Sequence, residues 1–285
     1  MLASIIASGL ALGAVYALIG ITYNVMFSAS RVMSFTSGQL GMLGGVFGSM
    51  FVLRLHLPVP VGLVLTLVAC GAVGVLTEVV AVRPVLAKLE QHLYVLSTLA
   101  AALMIQQFTA IEWSTEPQPF PRLLGVGSGI WDEKFWLPVV ACAVVIGGLE
   151  WMYRRTLVGR AFVAISEDNY AARALGLPER GLRMASYGLA GAVAGLAGFS
   201  SGQLLLAFFA NGAMLNFYGF VPVALGGLGN NRGAVVGGLV LGLFQQAANF
   251  LVGGVFASVA VFTVFILALL AAPQGLFGAP AARRV

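Results

Sequence analysis

Charge is what this sequence has least of. Asp, Glu, Lys and Arg together make up 9% of 285 residues, against about 25% in a soluble domain. The scarcity is organised: residues 1–30, 32–53, 55–77, 91–111, 184–231 and 233–282 contain none of the four. Histidine is nearly missing, with His56 and His92 far apart, and cysteine is limited to Cys70 and Cys142 in apolar stretches. These shortages exclude a disulfide framework and the usual metal-ligand spacings. They leave no nucleophile and base set for an intramembrane enzyme. There is no GxxxxGK[ST] loop, so the chain itself lacks the phosphate cradle needed to hydrolyse ATP. No ionisable residue falls at the centre of an apolar run; Glu78, Glu112 and Glu150 sit near the ends. Proton- and ion-driven carriers keep such groups at membrane depth, and this absence argues against them.

What is present in abundance is apolar sequence. Hydrophobic residues make up 60% of the chain, and the mean hydropathy is +0.97. A transmembrane helix needs about 20 predominantly apolar residues, and each uncharged run holds one or two. The reading is an all-α, polytopic transmembrane bundle forming a single domain over 1–285. Spans are placed near 3–27, 38–54, 60–82, 93–113, 135–153, 184–206, 217–229, 233–252 and 255–273: about eight full spans plus a short or re-entrant helix at 217–229. The N-terminus lacks a basic start and its apolar stretch is longer than a signal h-region, so it is read as the first span.

Orientation follows from the basic residues, which accumulate on the cytoplasmic side. An external N-terminus puts Arg31, Arg83, Lys88, Arg154, Arg155, Arg160, Arg173, Arg180, Arg183, Arg232, Arg283 and Arg284 inside. Only Arg54, Arg122 and Lys134 then lie outside. Trp113, Trp131 and Trp136 border the outer loop, and Trp151 and Tyr153 the inner end of the fifth span, as interfacial aromatics do. The outer loop, with STEPQPFPRLLGVGSG, is too short and too rich in Pro and Gly to be a ligand-binding domain. A scarce solute would need a separate capture protein.

Glycine, at 37 residues, recurs at small-xxx-small spacing, as in Gly41–Gly45, Gly44–Gly48, Gly191–Gly195 and Gly233–Gly237. That spacing lets helices approach closely. Pro222, Gly226, Gly227, Gly229 and Gly233 interrupt the run 220–238, which reads either as a broken helix lining a path or as a tight inner turn. The polar groups inside the spans are neutral amides: Asn24, Gln39, Gln106, Gln107, Gln203, Gln245, Gln246 and Asn249. They serve either helix packing or a neutral or zwitterionic solute. Ser37-Gly38-Gln39-Leu40 echoes as Ser201-Gly202-Gln203-Leu204. On these grounds Gln39, Gln203, Gly226, Gly227 and Asn230 are candidates for a translocation path.

One island breaks the apolar pattern. In GRAFVAISEDNYAARALGLPERG (159–181), Ser166 is placed to cap a helix whose first turn holds Glu167 and Asp168. Gly176 suits the C-terminal cap and Pro178 forbids continuation. A helix of about ten residues is expected, with an apolar side at Ala171, Ala174 and Leu175. It serves either as a plain surface helix or as a docking helix for a soluble partner.

The order Gly159-Arg160-Ala161, Ala164, Asp168, Ala171-Ala172-x-x-x-Gly176, Pro178 resembles the cytoplasmic coupling segment of ABC-importer permeases, whose pattern is Glu-Ala-Ala-x-x-x-Gly; Tyr170 stands where that Glu would be. Further stretches extend the resemblance: GLALGAVYALIGITYNVMF, RVMSFTSGQLGMLGG, AGAVAGLAGF, ALGGLGNNRGAVVGGLVLGL and the closing APQGLFG. Together they are similar to branched-chain amino acid ABC transporter permeases of the LivH/LivM type, nearest the LivH-like subunit. One departure is local: the family's Asn-Phe-Ala-His-Gly-Glu is Ser34-Phe35-Thr36-Ser37-Gly38-Gln39 here.

The resemblance implies a multi-pass permease of the bacterial inner membrane, paired with a second, LivM-like permease. It implies two cytoplasmic ABC ATPases, which would bind ATP and Mg in place of this chain, and an extracytoplasmic solute-binding protein. It places coupling in the 154–183 loop, at Arg160, Glu167, Asp168, Ala171, Ala172 and Gly176. The solute would be a branched-chain or other amino acid, or a related small polar solute such as an amide or organic acid. A passive channel for a small neutral solute such as urea is the alternative, and a non-transporting scaffold a more distant one.

Overall fold

The computed structural model describes residues 2–86, 93–127 and 129–271. Lys88, His92, the 272–278 stretch, Arg283 and Arg284 lie outside these residues. The described residues form eleven α-helices and no strand; a single antiparallel bridge joins Gln118 to Ala207.

Helix α1 (Leu2–Ser30) is apolar on all sides, the pattern of a helix surrounded by protein. It runs through the middle of the bundle against α5 (Glu133–Arg155), α8 (Glu179–Leu205), α9 (Asn211–Gly226) and α10 (Asn231–Val252). From Ala14 to Met26 every residue is buried. Helix α2 (Ser37–Ser49, prolonged by a π turn, Met50–Arg54) packs against α8 and α9. The α2–α8 contact depends on missing side chains: a Cβ on Gly44 would stand 2.3 Å from the Gly195 carbonyl oxygen. The small-xxx-small pattern here is close helix packing.

Helices α3 (Val59–Thr77, prolonged by a π turn, Glu78–Val82), α4 (Leu93–Glu112) and α11 (Gly254–Ala271) lie at the periphery. Their outward side chains, such as Val68, Leu76, Met104, Ile111, Phe256 and Leu270, are large and apolar, which a lipid environment permits and water does not. Six described helices are long and apolar enough to cross a membrane: α1, α3 with its extension, α4, α5, α8 and α10. Helix α11 holds a shorter apolar stretch, Phe256–Leu267, and α2 and α9, at 13 and 16 residues, are shorter than those six helices. The chain is thus an all-helical, multi-pass membrane protein. The expected short helix near 217–229 is α9, begun six residues earlier.

Of the two readings of 220–238, the structure takes the tight turn: α9 stays helical through Pro222 to Gly226, and α10 restarts at Asn231. The interrupted backbone lies instead at 31–36, where an irregular segment between α1 and α2 buries Ser34 and Thr36 almost completely. At about 1.5 Å of rise per residue, Gln39 lies about 16 Å along α2 from Met50.

Candidate functional site: a polar elbow and a buried cavity

The polar island folds as two helices rather than one. Helix α6 (Leu157–Glu167) is capped by Thr156, whose side chain accepts from Gly159 N at 3.0 Å. Its Phe162 and Ile165 bury against Ala29 of α1 and Leu182 of α8. Helix α7 (Asn169–Ala174) follows. The expected Ser166 cap is corrected: that hydroxyl donates to Val163 O inside α6. The cap is Asp168, which accepts from Tyr170 N at 2.8 Å and Ala171 N at 3.0 Å. A carboxylate holds these two orphan donors better than a hydroxyl already bonded within its own helix.

The expected apolar side is also corrected. Ala172 is the buried member, at 3% exposure, while Ala171, Ala174 and Leu175 face outward. Gly176 adopts φ +79°, and Leu177 N donates back to Ala172 O. This is the left-handed close of a helix that favours glycine. Arg160, Glu167, Asp168, Tyr170 and Ala171 are left exposed. The elbow is tied to the bundle by Arg31, at the end of α1, whose guanidinium donates to Ser166 O.

Beside the elbow lies an open cavity of about 380 Å³, bordered by Tyr153, Ser166, Asn230 and Arg232. Here Glu150 of α5 pairs with Arg154 at 2.7 Å and with Arg232. Asn230 caps α10 by accepting from Gly233 N at 3.1 Å. Gly226 packs against Gly233, and Gly227 has φ +85°. Asn24 fastens this turn, its Oδ1 accepting from Gly229 N. Gly226, Gly227 and Asn230 therefore gather next to the α6–α7 elbow.

The two echoing glutamines are separated. Gln203, near the C-terminal end of α8, donates to Glu133 Oε1 at 2.6 Å and to Pro121 O at 3.1 Å. Glu133, 1% exposed, also accepts from Leu123 N and Leu124 N; together they fasten the loop between α4 and α5. Gln39 is buried beside a cavity of about 270 Å³ whose walls include Phe35, Gln106, Asn216 and Phe220. Its Nε2 donates to Gln106 Oε1 at 3.4 Å. Its Oε1 is buried without a hydrogen-bond partner.

Asn216 organises this region and was not singled out by the sequence. Its Oδ1 accepts from Tyr23 Oη at 2.9 Å and Gly38 N at 2.6 Å, and its Nδ2 donates to Phe35 O. It thereby satisfies backbone that the irregular 31–36 segment leaves without helical partners, as burial requires. A second pairing was equally hidden. Glu78 and Arg183, 0% and 6% exposed at their side chains, meet at 2.6 Å between α3 and the start of α8.

The comparisons agree with this architecture. The family model described as branched-chain amino acid transport system / permease component matches residues 5–272. Similar proteins include the high-affinity branched-chain amino acid transport system permease proteins LivH of Escherichia coli strain K12, 27% identical, and LivH of Salmonella typhimurium, 26% identical. BraD of Pseudomonas aeruginosa is 25% identical. Each alignment covers 98% of this chain and 96% of the relative. No solved structure matches. These relatives are transport permeases, which leaves both the urea channel and the membrane enzyme without support. From a match over nearly its whole length, the chain belongs to the family of branched-chain amino acid transport system permease components.

Proposed function

We propose that this protein is one permease subunit of an ATP-driven importer for amino acids of the branched-chain type, in the bacterial inner membrane. It works with a second permease, two cytoplasmic ABC ATPases that bind ATP and Mg, and an extracytoplasmic binding protein. The single observation that carries the coupling role is the α6–α7 elbow. It shows a short, capped, polar surface at the basic end of a bundle that is otherwise apolar. It is also joined to three transmembrane helices: α5 by chain, α1 through Arg31 and Ala29, and α8 through Leu182 and the chain beyond Pro178. A push on this surface by the motor is delivered to α1 and α8 together. Such coupling needs the motor to bind the two conformations with different affinity. Arg160, Glu167, Asp168, Ala171, Ala172 and Gly176 are assigned to it.

The reading is tested at Gly176. A Cβ there meets no neighbour within 4 Å, but the φ of +79° is strained for a β-branched residue such as valine. Gly176→Val is expected to reach the membrane and to abolish ATP-dependent uptake. Gly176→Asn, which tolerates this conformation, retains most of it. Full uptake by the valine variant would remove the coupling assignment.

A further inference from the structure

We infer that the cavity between α2, α4 and α9 is a solute subsite inside this permease, where Gln39 and Gln106 receive the polar end of a neutral α-amino acid and Phe35, Leu99 and Phe220 receive its apolar side chain. The inference rests on the importer reading above and goes beyond it by naming the cavity and its contact residues.

The cavity lies beside the buried break between α1 and α2, with Phe35 in its wall. Irregular backbone inside a membrane persists only against protein or a water-accessible cavity. At about 270 Å³ the space lies just below the roughly 300–1,000 Å³ of ordinary small-molecule pockets, which restricts it to small solutes. Its walls divide by chemistry. Phe35, Leu99, Leu103, Phe217 and Phe220 form an apolar sleeve; Gln39 and Gln106 lie on facing helices, amide to amide. Asn216 is committed to Tyr23, Gly38 and Phe35, so it is a positioning residue that holds the break.

Gln39 is 2% exposed, and its Oε1 is left without a partner. It rests against Gly212, where a Cβ would stand 1.9 Å from it, so only glycine leaves the carboxamide room. An unpaired buried acceptor costs about 1–3 kcal/mol. Rotation of the amide turns this oxygen toward the cavity, where an ammonium N–H satisfies it; the amide N–H groups of the pair then serve the carboxylate. Two amides match both ends of a zwitterion and no net charge. A cationic or anionic side chain would remain uncompensated in an apolar sleeve.

The test uses the assembled importer, this chain with its partner subunits and binding protein, in proteoliposomes. Radiolabelled L-leucine, L-phenylalanine, L-lysine and L-glutamate are the probes, and ATP hydrolysis is followed in parallel. Wild type is expected to move the two neutral amino acids. Gln39→Leu is expected to lower their uptake per ATP about tenfold, the value of one hydrogen bond. Gln39→Glu shifts uptake toward L-lysine. Unchanged uptake and selectivity in both variants overturns the subsite while leaving the importer standing. ATP-driven uptake of the charged probes alone overturns its charge class; no ATP-driven uptake of any probe removes the importer reading beneath it.

A second measurement needs no change to the glutamines. Leu103→Cys, exposed on the cavity wall while Cys70 and Cys142 are buried, is labelled with a maleimide. L-leucine is expected to slow labelling several-fold and L-glutamate to leave it unchanged. Equal rates with and without L-leucine overturn the subsite.

Discussion

Removing Arg183 should destabilise the bundle by an amount large enough to measure and should be repaired by removing its partner as well. The Arg183–Glu78 pair is nearly inaccessible, with side chains 6% and 0% exposed, and Arg183 reaches Glu179 as a secondary partner at 3.2 Å. With charge centres about 4 Å apart and an effective dielectric near 20, the Coulomb attraction is about 4 kcal/mol. Both ions lose hydration, so the net value of the pair is smaller, but removal of one partner leaves the other stranded at about 3–5 kcal/mol. For a chain this long the entropy of unfolding on the globular scale is about 0.6 kcal/mol per degree, so Arg183→Met should lower the midpoint by about 7 °C. Glu78→Met should cost less than Arg183→Met, because Arg183 keeps Glu179. The double variant replaces the pair by apolar volume and should recover most of the loss. Thermal unfolding of the purified protein in mild detergent, read by tryptophan fluorescence, measures all four proteins. Shifts below about 2 °C in the single variants, or a double variant that loses the sum of the two, would refute the claim that this pair acts as a buried unit. The pair also fixes α3 to the first turn of α8, directly after the elbow, so Arg183→Met should reduce uptake in proportion to its instability.

Two further outcomes follow from named contacts. Asp168→Ala removes the acceptor that holds the Tyr170 and Ala171 amides. A lost cap costs about 0.5–2 kcal/mol, enough to fray a helix of six residues. ATP-dependent uptake should fall several-fold and return with Asp168→Asn; uptake unchanged by the alanine would show that α7 need not be formed. Glu133→Ala leaves the Leu123 and Leu124 amides and the Gln203 carboxamide without their shared acceptor. Trypsin should then cut at the exposed Arg122 several times faster than in wild type, and Glu133→Gln should lie between the two; equal cleavage rates would mean that other contacts hold the loop.

How much was legible in advance depended on whether the cause of a feature lies near it in the chain. The long helices α1, α3, α4, α5, α8 and α10 announced themselves because a bilayer demands length and hydropathy from consecutive residues. The elbow was visible because charge is rare elsewhere, and Gly176 because a left-handed close is a property of one residue. Within the elbow, Ser166 and Asp168 are both competent caps. The choice fell to Asp168 once α6 extended to Glu167 and drew the Ser166 hydroxyl back to Val163. A local reading of the apolar side failed for a similar reason. Ala172 is buried because Phe162, Ile165 and Leu182 happen to meet there, which no count of small residues reveals.

The sequence by itself determined that this chain is helical, membrane-embedded, short of intramembrane charge and equipped with one polar segment, because each of those properties is a sum over neighbouring residues. Tertiary structure alone decided where the backbone breaks and which amides face a cavity. Proline and glycine drew attention to 220–238, yet that stretch closes into a turn held locally by Asn230 and from α1 by Asn24. The buried irregular segment at 31–36 carries no such signal. It survives buried because Asn216, 181 residues beyond Phe35, supplies hydrogen bonds that the local sequence cannot. Gln39 and Gln203 share a four-residue motif and differ in everything around it: one faces Gln106 in an apolar sleeve, the other a buried carboxylate under the outer loop. Hydrogen-bond partners that distant are brought together only by packing, and packing is what sorted identical side chains into different work.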